Sequence, residues 1–396
     1  MYRKGKEKDK QDILDFLNYV FSMDHEPTDF RKLIPKVYGE QRNMEDCHHL
    51  LIEENKIKAA IGVYPSEMIV GNCTLKTGYI GSVSVHPYER HRGYMKDLMK
   101  EVQKDIRKEK YDLVALSGQR QRYEHFGFYR GGTVLQYQIG EVNLRHYFDK
   151  KFKDAPMSKE KVLMELELAI SLQESNDDDH MDAIYQIYQN RIVTGRRREA
   201  FFDIMQSFHT ELYAVTMHGV CIGYIAYDYE EDYINEFELL DMDLLPYVLE
   251  MLMEYTGCSV MGIKTTFLDN RKNRLLATIC ERYTIGQAQM YHILNYPNVC
   301  RALLLAKQQV QELCDGEFIL EIKEEGKFLI MIKNKEIVVQ KTKKVADVTM
   351  TEEQFIRILL STDYEMACMS NEIDGLSRIP DGWFPLPLAI EIADTF

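Results

Sequence analysis

The chain has 396 residues, of which 45% are hydrophobic, so two or three packed domains are expected rather than a disordered chain. The net charge of -14 argues against a nucleic-acid-binding protein and is compatible with cationic substrates or simply with good solubility. The charged N-terminus, the lack of a long apolar run and eight cysteines without CxxC spacing favour a cytoplasmic protein with reduced thiols and no membrane span.

The N-terminal part predicts strands mixed with helices. A helical period covers residues 11–22, and strands are predicted at residues 50–53, 56–64, 79–85, 113–117 and 134–139, the last of which closes this segment. A strongly amphipathic helix is predicted over residues 93–108. The apolar positions that form its buried face are Met95, Leu98, Met99, Val102 and Ile106.

The junction between the strand at residues 79–85 and this helix carries the basic loop Arg90-His91-Arg92-Gly93. Free amides at a helix start attract anions, and glycine removes the side chain where a phosphate would approach closely. Arg92 and Lys96 add positive charge to an otherwise acidic chain. The junction therefore predicts a pyrophosphate site; the alternative is an ordinary turn with solvated basic residues.

The middle part repeats the order hairpin, strand, helix, strand. A charged connection is predicted at residues 150–161, a hairpin at 211–227 around His218-Gly219, a strand at 234–240, a helix at 244–255 and a strand at 258–267. The loop of this copy is Asp241-Met242-Asp243, without glycine or arginine. Two carboxylates would repel a phosphate, so the copy is expected to have the fold without the cofactor.

The last part predicts a helix at residues 299–313, strands at 318–323, 328–332, 337–340 and 345–350, and a capping box that starts at Thr351. The apolar, proline-rich end, PDGWFPLPLAIEIADTF, is expected to pack against another part of the protein. The overall expectation is an α/β (α+β) chain with domains at residues 1–140, 141–289 and 290–396.

The spacing Arg90-x-x-Gly93-x-Met95 resembles the Q/R-x-x-G-x-G/A signature of the GCN5-related N-acetyltransferases, from which Met95 departs at the last position. In that family the loop amides hold the pyrophosphate of acetyl-CoA, and the preceding strand holds the pantetheine arm. The residues that the resemblance assigns to acetyl-CoA are Val83, Ser84, Val85, His91, Arg92, Gly93, Tyr94, Met95 and Lys96.

A second motif resembles the Eis-like (enhanced intracellular survival) branch of this family: Tyr123 precedes the turn Phe126-Gly127-Phe128. An apolar residue at the position of Met95 also fits this branch. The resemblance implies a catalytic domain, a degenerate copy and a C-terminal domain similar to sterol carrier proteins, in a hexameric assembly. Gly118 and Gln119 match positions that also contact acetyl-CoA.

The Eis-like resemblance also implies a mechanism. Tyr123 is expected to be the general acid, and the C-terminal carboxylate of Phe396, ionised at neutral pH, the general base. Asp394 is a candidate for binding a cationic substrate. The acceptor would be a primary amine of an aminoglycoside, a polyamine or a protein lysine, attacked in a ternary complex.

Two further expectations complete the sequence analysis. No metal is expected, because His48-His49, with Asp46 and Cys47 beside them, have no second ligand pair at a suitable spacing. The alternative function is an acyl-CoA- or lipid-binding sensor or scaffold without turnover.

Overall fold

A computed structural model describes residues 1–24, 26–153, 157–169, 178–195 and 197–396. The first sheet begins with strands β1 (Tyr2–Lys4), β2 (His48–Glu53), β3 (Lys56–Val70), β4 (Cys73–Val85), β5 (Leu113–Leu116) and β6 (Tyr129–Gly131). Its helices are α1 (Lys10–Asp24), α2 (Phe30–Leu33), α3 (Pro35–Tyr38), α4 (Tyr94–Lys108) and α5 (Arg120–Tyr123). We call this sheet with its helices the first unit.

Strands β3 and β4 form a hairpin that is longer than the sequence predicted. The predicted strand stopped at Tyr64, but β3 continues through Pro65 to Val70. Because the pairing of β2 with β3 reaches only Gly62, Pro65 lies on an edge where its missing N–H interrupts no ladder. The extension reaches the middle part of the chain, where Ile69 and Thr194 exchange backbone hydrogen bonds of 2.7 and 3.1 Å.

The second sheet contains β7 (Val134–Gly140), β8 (Leu166–Ala169), β9 (Thr210–Met217), β10 (Val220–Asp228), β11 (Tyr233–Leu239), β12 (Val260–Thr265) and β13 (Arg282–Gly286). Its helices are α6 (Glu141–Lys151), α7 (Met157–Glu165), α8 (Asp178–Gln189), α9 (Phe201–Met205), α10 (Leu245–Thr256) and α11 (Asn270–Ile279). The hairpin at His218-Gly219 is confirmed, and both residues have positive φ. Residues 154–156 of the predicted connection lie outside the described residues. We call this sheet with its helices the second unit.

The two sheets have the same strand order, but each takes its sixth strand from the other part of the chain. The first sheet runs β1-β2-β3-β4-β5-β14-β6, in which β14 is Gln289–Ile293, and the second runs β8-β9-β10-β11-β12-β7-β13. The expectation that residues 134–139 close the first segment is therefore wrong, because β7 pairs with β12 and β13. The repeat of the fold predicted for the middle part is confirmed.

The third unit is a four-stranded sheet with strands β15 (Gly316–Ile322), β16 (Gly326–Lys333), β17 (Glu336–Lys341) and β18 (Val348–Met350). Its helices are α12 (Tyr296–Gln308), α13 (Glu352–Gln354), which leads into a π-helical turn at Phe355–Leu359, and α14 (Tyr364–Ser370). The capping box at Thr351 is confirmed. Within the described part of the chain, no helix has the length and apolar character that a membrane crossing requires.

The apolar C-terminal segment packs against the rest of the protein, as its composition predicts. Trp383 is fully buried, and its indole N–H donates to the Cys314 carbonyl at 3.0 Å. Farther along, the Thr133 N–H donates to the Leu388 carbonyl at 2.9 Å, in the segment that crosses between the first two sheets. The tail thus leads out of the third unit toward the first two.

Candidate active site

A cleft of about 1200 Å³ lies where β4 ends and α4 begins. It brings together three groups that the sequence predicted for one site: the end of β4, the basic loop and Tyr123. The predicted residues that line it are Val83, Ser84, Val85, His91, Met95, Lys96 and Tyr123. Arg90, Lys100, Arg122 and His125 add basic side chains, and none of the described residues lining it is an Asp or a Glu. The cleft therefore suits an anionic ligand.

A bulge in β4 opens the sheet at this cleft. Ser84 pairs with Ala60 of β3 but Gly81 pairs with Gly62, so two residues of β4, Ser82 and Val83, lie opposite one of β3. Ser82 has a φ of 51°. The parallel pairing with β5 ends at Ile80, so the backbone of residues 82–85 on that side is left for a ligand.

The first turn of α4 faces the same cleft with free amides. Its first helical hydrogen bond runs from the Asp97 N–H to the Gly93 carbonyl at 3.0 Å, so the amides of Tyr94, Met95 and Lys96 have no acceptor within the helix. Gly93 has a φ of 81°, and a Cβ there would meet no atom within 4 Å. The backbone conformation therefore favours glycine, and the space in front of it is open.

Two of the predicted side chains turn away from the cleft. The Arg92 guanidinium pairs with Glu89 and lies 4.9 Å from the centre of the Tyr94 ring. The Tyr94 hydroxyl donates to Glu53 at 2.8 Å, and the residue is 9% exposed. Arg92 and Tyr94 can therefore contribute backbone amides and hold the loop in shape, while the positive charge in the cleft comes from Arg90, Lys96, Lys100 and Arg122.

Tyr123 closes the other wall of the cleft and is 8% exposed. Burial raises the pKa of its phenol, so it keeps its proton at neutral pH. Among the described residues no group hydrogen-bonds to its hydroxyl, which leaves it available as a donor. Gly118 and Gln119 do not line the cleft. Gly118 instead makes room for the tyrosine, because a Cβ there would lie 3.1 Å from the Tyr123 ring.

The C-terminal residue, Phe396, packs against β4, whose end lines the cleft, and against the neighbouring strand β3. The Phe396 ring stacks on Tyr64 with 4.7 Å between ring centres and lies 6.0 Å from the ring of Tyr79. A Cβ at Gly81 would stand 2.9 Å from an oxygen of the Phe396 carboxylate, so a larger residue there would displace the terminus. The Tyr79 hydroxyl donates to Ser117 at 2.7 Å, next to Gly118. A short series of contacts through Tyr79, Ser117 and Gly118 therefore connects Phe396 with Tyr123.

A buried polar cluster behind Phe396 was not predicted. The Tyr38 hydroxyl lies 2.9 Å from His48 Nε2, 2.7 Å from the Tyr64 hydroxyl and 2.8 Å from Ser82 Oγ. Burial lowers the pKa of His48 to about 4, so its ring is neutral at pH 7. His48, weighed above as a metal ligand, thus supports the strand that carries Gly81, and no group of three or more potential metal ligands occurs among the described residues.

The equivalent junction in the second unit carries its own anion. The Asp241 carboxylate accepts a hydrogen bond from the Asp243 N–H at 2.9 Å and caps the short turn Met242–Leu244 that leads into α10. A phosphate approaching this helix start would meet two carboxylates.

Comparisons with known proteins agree with this geometry. Residues 1–131 match the family described as acetyltransferase (GNAT) domain. A GCN5-related N-acetyltransferase from Anabaena variabilis superposes with a TM-score of 0.69 at 15% identity, covering 100% of both chains. A protein of unknown function from Enterococcus faecalis, described as a probable N-acyltransferase, gives a TM-score of 0.65 at 16% identity over 96% of both chains.

Eis1 from Mycobacterium abscessus gives a TM-score of 0.63 at 12% identity over 100% of both chains. No curated protein sequence matches this chain. At these identities the solved structures establish the fold alone. Residues 1–131 are therefore similar to GNAT acetyltransferase domains, and the full length of the chain shares the fold of these three proteins.

Proposed function

We propose that this chain is an acetyl-CoA-dependent N-acetyltransferase that transfers an acetyl group to a primary amine. The observation that carries the proposal is the shared cleft: the open end of β4, the free amides of α4 and the Tyr123 hydroxyl line one space. The basic lining fits a pyrophosphate, the open position in front of Gly93 gives it room, and the bulged strand offers backbone groups to an extended arm.

The residues that would hold acetyl-CoA follow from this geometry. The amides of residues 94–96 and the side chains of Arg90, His91 and Lys96 would bind the pyrophosphate, and the backbone of residues 83–85 the pantetheine arm. Gly118 would act through the position of Tyr123, and Gln119, which does not line the cleft, is left without a contact to acetyl-CoA in this proposal. When bound, acetyl-CoA supplies the acetyl group as a thioester.

The chain's own groups move the protons. The Phe396 carboxylate accepts a proton from the acceptor ammonium, directly or through water, and the resulting neutral amine attacks the carbonyl carbon. As the N–C bond forms and the C–S bond breaks, the Tyr123 hydroxyl donates its proton to the departing sulfur, and the second proton that the new amide nitrogen loses passes through water to the Tyr123 phenolate. Both substrates are bound together, and no acyl-enzyme is formed.

The acceptor class stays open among aminoglycosides, polyamines and protein lysines. A cavity of about 420 Å³ beside Phe396, partly lined by Pro65, Glu67 and Lys76, provides space for an acceptor. Asp394 also lines this cavity, but its carboxylate is held by two hydrogen bonds from Arg197, which argues against its expected role as a free acidic group for a cation.

We further propose the division of the chain into domains at residues 1–140, 141–289 and 290–396, in which β7 at the end of the first domain joins the second sheet and β14 joins the first sheet. The four-stranded sheet and flanking helices of the third unit support the proposed likeness to sterol carrier proteins. A hexamer stays part of this proposal and is testable by mass photometry.

The test is release of free thiol from acetyl-CoA with a panel of amines. We expect turnover with at least one amine class, and we expect Tyr123→Phe to lower kcat about 100-fold with the KM for acetyl-CoA unchanged, since only a proton donor is lost. Wild-type turnover in Tyr123→Phe would exclude the acid role. Thermal stabilisation by acetyl-CoA without thiol release with any amine would instead favour an acyl-CoA-binding scaffold.

A further inference from the structure

The C-terminal tail is anchored to the second unit just before its last residue reaches Tyr79 and Gly81 of β4. Residues Ile392–Asp394 form a short turn, and Ala393 packs against the aromatic cluster of the second unit that includes Tyr188 and Phe201. Asp394 is two residues from the C-terminus, so any movement of this anchor passes almost undiminished to Phe396.

Arg197 makes the central contact of this anchor and is 1% exposed. Its Nε and Nη2 atoms donate to the two oxygens of Asp394 at 2.7 and 2.6 Å. Its Nη1 atom donates to both oxygens of Glu236 on β11, at 2.9 and 3.0 Å. The planar guanidinium thus fixes the tail to the sheet of the second unit through a bidentate pair, and the Tyr188 ring lies 4.5 Å from it.

Arg191 makes a similar set of contacts closer to the start of the tail, at Glu391. It pairs with Glu391 of the tail, with Glu236 at 3.1 Å and with Glu238 at 3.1 Å. Both acidic side chains of the tail, Glu391 and Asp394, are therefore paired with arginines of the second unit. Buried arginines that lose a partner are costly, so the tail and the second unit hold each other in one arrangement.

Lys36 of the first unit continues the anchor to the last residue. Its ammonium donates to the carbonyl of Ala393 at 2.8 Å and to that of Thr395, and it lies 4.3 Å from the centre of the Phe396 ring. Backbone atoms on both sides of Asp394 are thereby fixed. Chain termini ordinarily fray, and this one is tied down by side chains from two units.

We propose that the second unit serves as the holder of the C-terminus, in which Arg197, supported by Arg191, keeps the tail in register so that the Phe396 carboxylate stays beside Gly81 of β4. Arg197 and Arg191 are positioning residues. The proposal rests on the proposed role of Phe396 as the base, and it gives the copy of the fold that lacks an open anion site a part in the reaction.

The test is Asp394→Asn in the full chain, which keeps the side-chain shape and leaves Arg197 paired with Glu236. Asp363→Asn is the matched control, because Asp363 also pairs with an arginine, Arg357, and has a similar side-chain exposure of 20% against 16%. The first measurement is the rate at which carboxypeptidase releases Phe396, which reports opening of the tail independently of catalysis.

We expect carboxypeptidase to release Phe396 from Asp394→Asn about ten-fold faster than from wild type. We also expect kcat to fall about 10- to 100-fold, because even a small displacement of the base from its working position slows the reaction. The KM for acetyl-CoA should be unchanged, since the basic loop is untouched. The control should match wild type in all three quantities. Glu391→Gln, which loosens the tail at Arg191, should change them in the same direction and replaces Asp394→Asn if that variant folds poorly.

A chain extended by two glycines after Phe396 separates the two proposals, since it moves the carboxylate without touching Asp394. Unchanged kcat in the extended chain would refute Phe396 as the base, while faster release in Asp394→Asn would still identify the holder of the tail. A lower kcat in the extended chain with wild-type release and kcat in Asp394→Asn would overturn the holder alone. Faster release with unchanged kcat, or equal changes in the control, would also overturn the positioning role.

Discussion

The junctions at Gly93 and Asp241 occupy equivalent positions in the two sheets. The first is open to an anion, whereas the second already carries an anionic side chain of its own. In the first unit the strand leads through a basic loop to a helix start whose amides are open. In the second unit the side chain of Asp241 already accepts from the backbone at that position. The fold provides the donors in both cases, and the loop sequence decides whether the acceptor is a ligand or the protein itself.

The two junctions also differ in what stabilises them: a carboxylate of the protein in one case and a bound anion in the other. A helix start capped by its own carboxylate is stabilised without any ligand, whereas an open one gains that stabilisation when an anion binds. The junction of the second unit therefore needs no bound anion for its stability. The buried arginines of that unit, Arg197 and Arg191, pair with the C-terminal tail.

The strongest way to break the comparison is to bring a carboxylate to the open junction. Gly93→Asp should weaken binding of acetyl-CoA about 1,000-fold relative to Gly93→Asn, because a like charge about 4 Å from a phosphate costs about 4 kcal/mol at an effective dielectric constant of about 20. Both residues tolerate the φ of 81°, so the pair isolates the charge. Calorimetric titration with acetyl-CoA measures the effect, and equal affinities would place the phosphate elsewhere.

Buried groups of the two units should also titrate in different pH ranges. His48 is buried neutral with its pKa lowered from 6.5 to about 4, so between these values the unfolded chain binds a proton that the folded chain does not. Stability should therefore fall as the pH drops from 6.5 to 4, by up to about 3 kcal/mol from this residue. In the second unit, burial by itself would raise the pKa of Asp269, but charged and hydrogen-bonding partners led by Lys272 outweigh it and lower the pKa from 3.8 to about 2, so its contribution is lost only below pH 4.

Urea unfolding of His48→Gln and wild type at pH 7 and pH 4.5 measures the His48 contribution. We expect the variant to lose less stability than wild type between these pH values, since glutamine does not titrate. Equal losses would show that His48 takes no part in the acid response.

The smallest expected effect sharpens the comparison from the other side. Asp241→Ala removes the internal acceptor at the second junction and should lower the free energy of unfolding by about 1 kcal/mol, the typical value of a capping residue. Binding of acetyl-CoA should stay at one molecule per chain with unchanged affinity. Thermal unfolding and titration check the two statements, and a second bound molecule would mean that the carboxylate alone closes that site.

Local patterns in the sequence were sufficient for the elements of the first junction. The period from Met95 to Ile106 and the glycine at position 93 determine the helix and its start within a few residues, so both were predictable. Phe396 was found only through the resemblance to Eis-like proteins, because nothing in the last residue itself indicates where it lies.

Contacts between distant segments could not be predicted in the same way. Arg197 and Asp394 are 197 residues apart, and each is an ordinary charged residue in its local sequence. The exchange of β7 and β14 is equally hidden, because the two strands fill equivalent positions and local alternation does not record which sheet a strand joins. The predicted strand ended before Pro65, although a strand can contain a proline where that residue lies on the edge of a sheet. Whether Pro65 lies on an edge depends on where the neighbouring strand β2 ends, which local sequence does not show.

The exchange of the sixth strands makes the folding unit longer than the segment recognised as a family. The matched residues end at position 131, but the strand that fills the gap between β5 and β6 is formed by residues 289–293. A fragment cut at the family boundary would expose unpaired backbone on both neighbours of the missing strand and invite association with other chains. The first sheet is therefore completed only after the second has been synthesised, and the two halves gain their stability as one cooperative system.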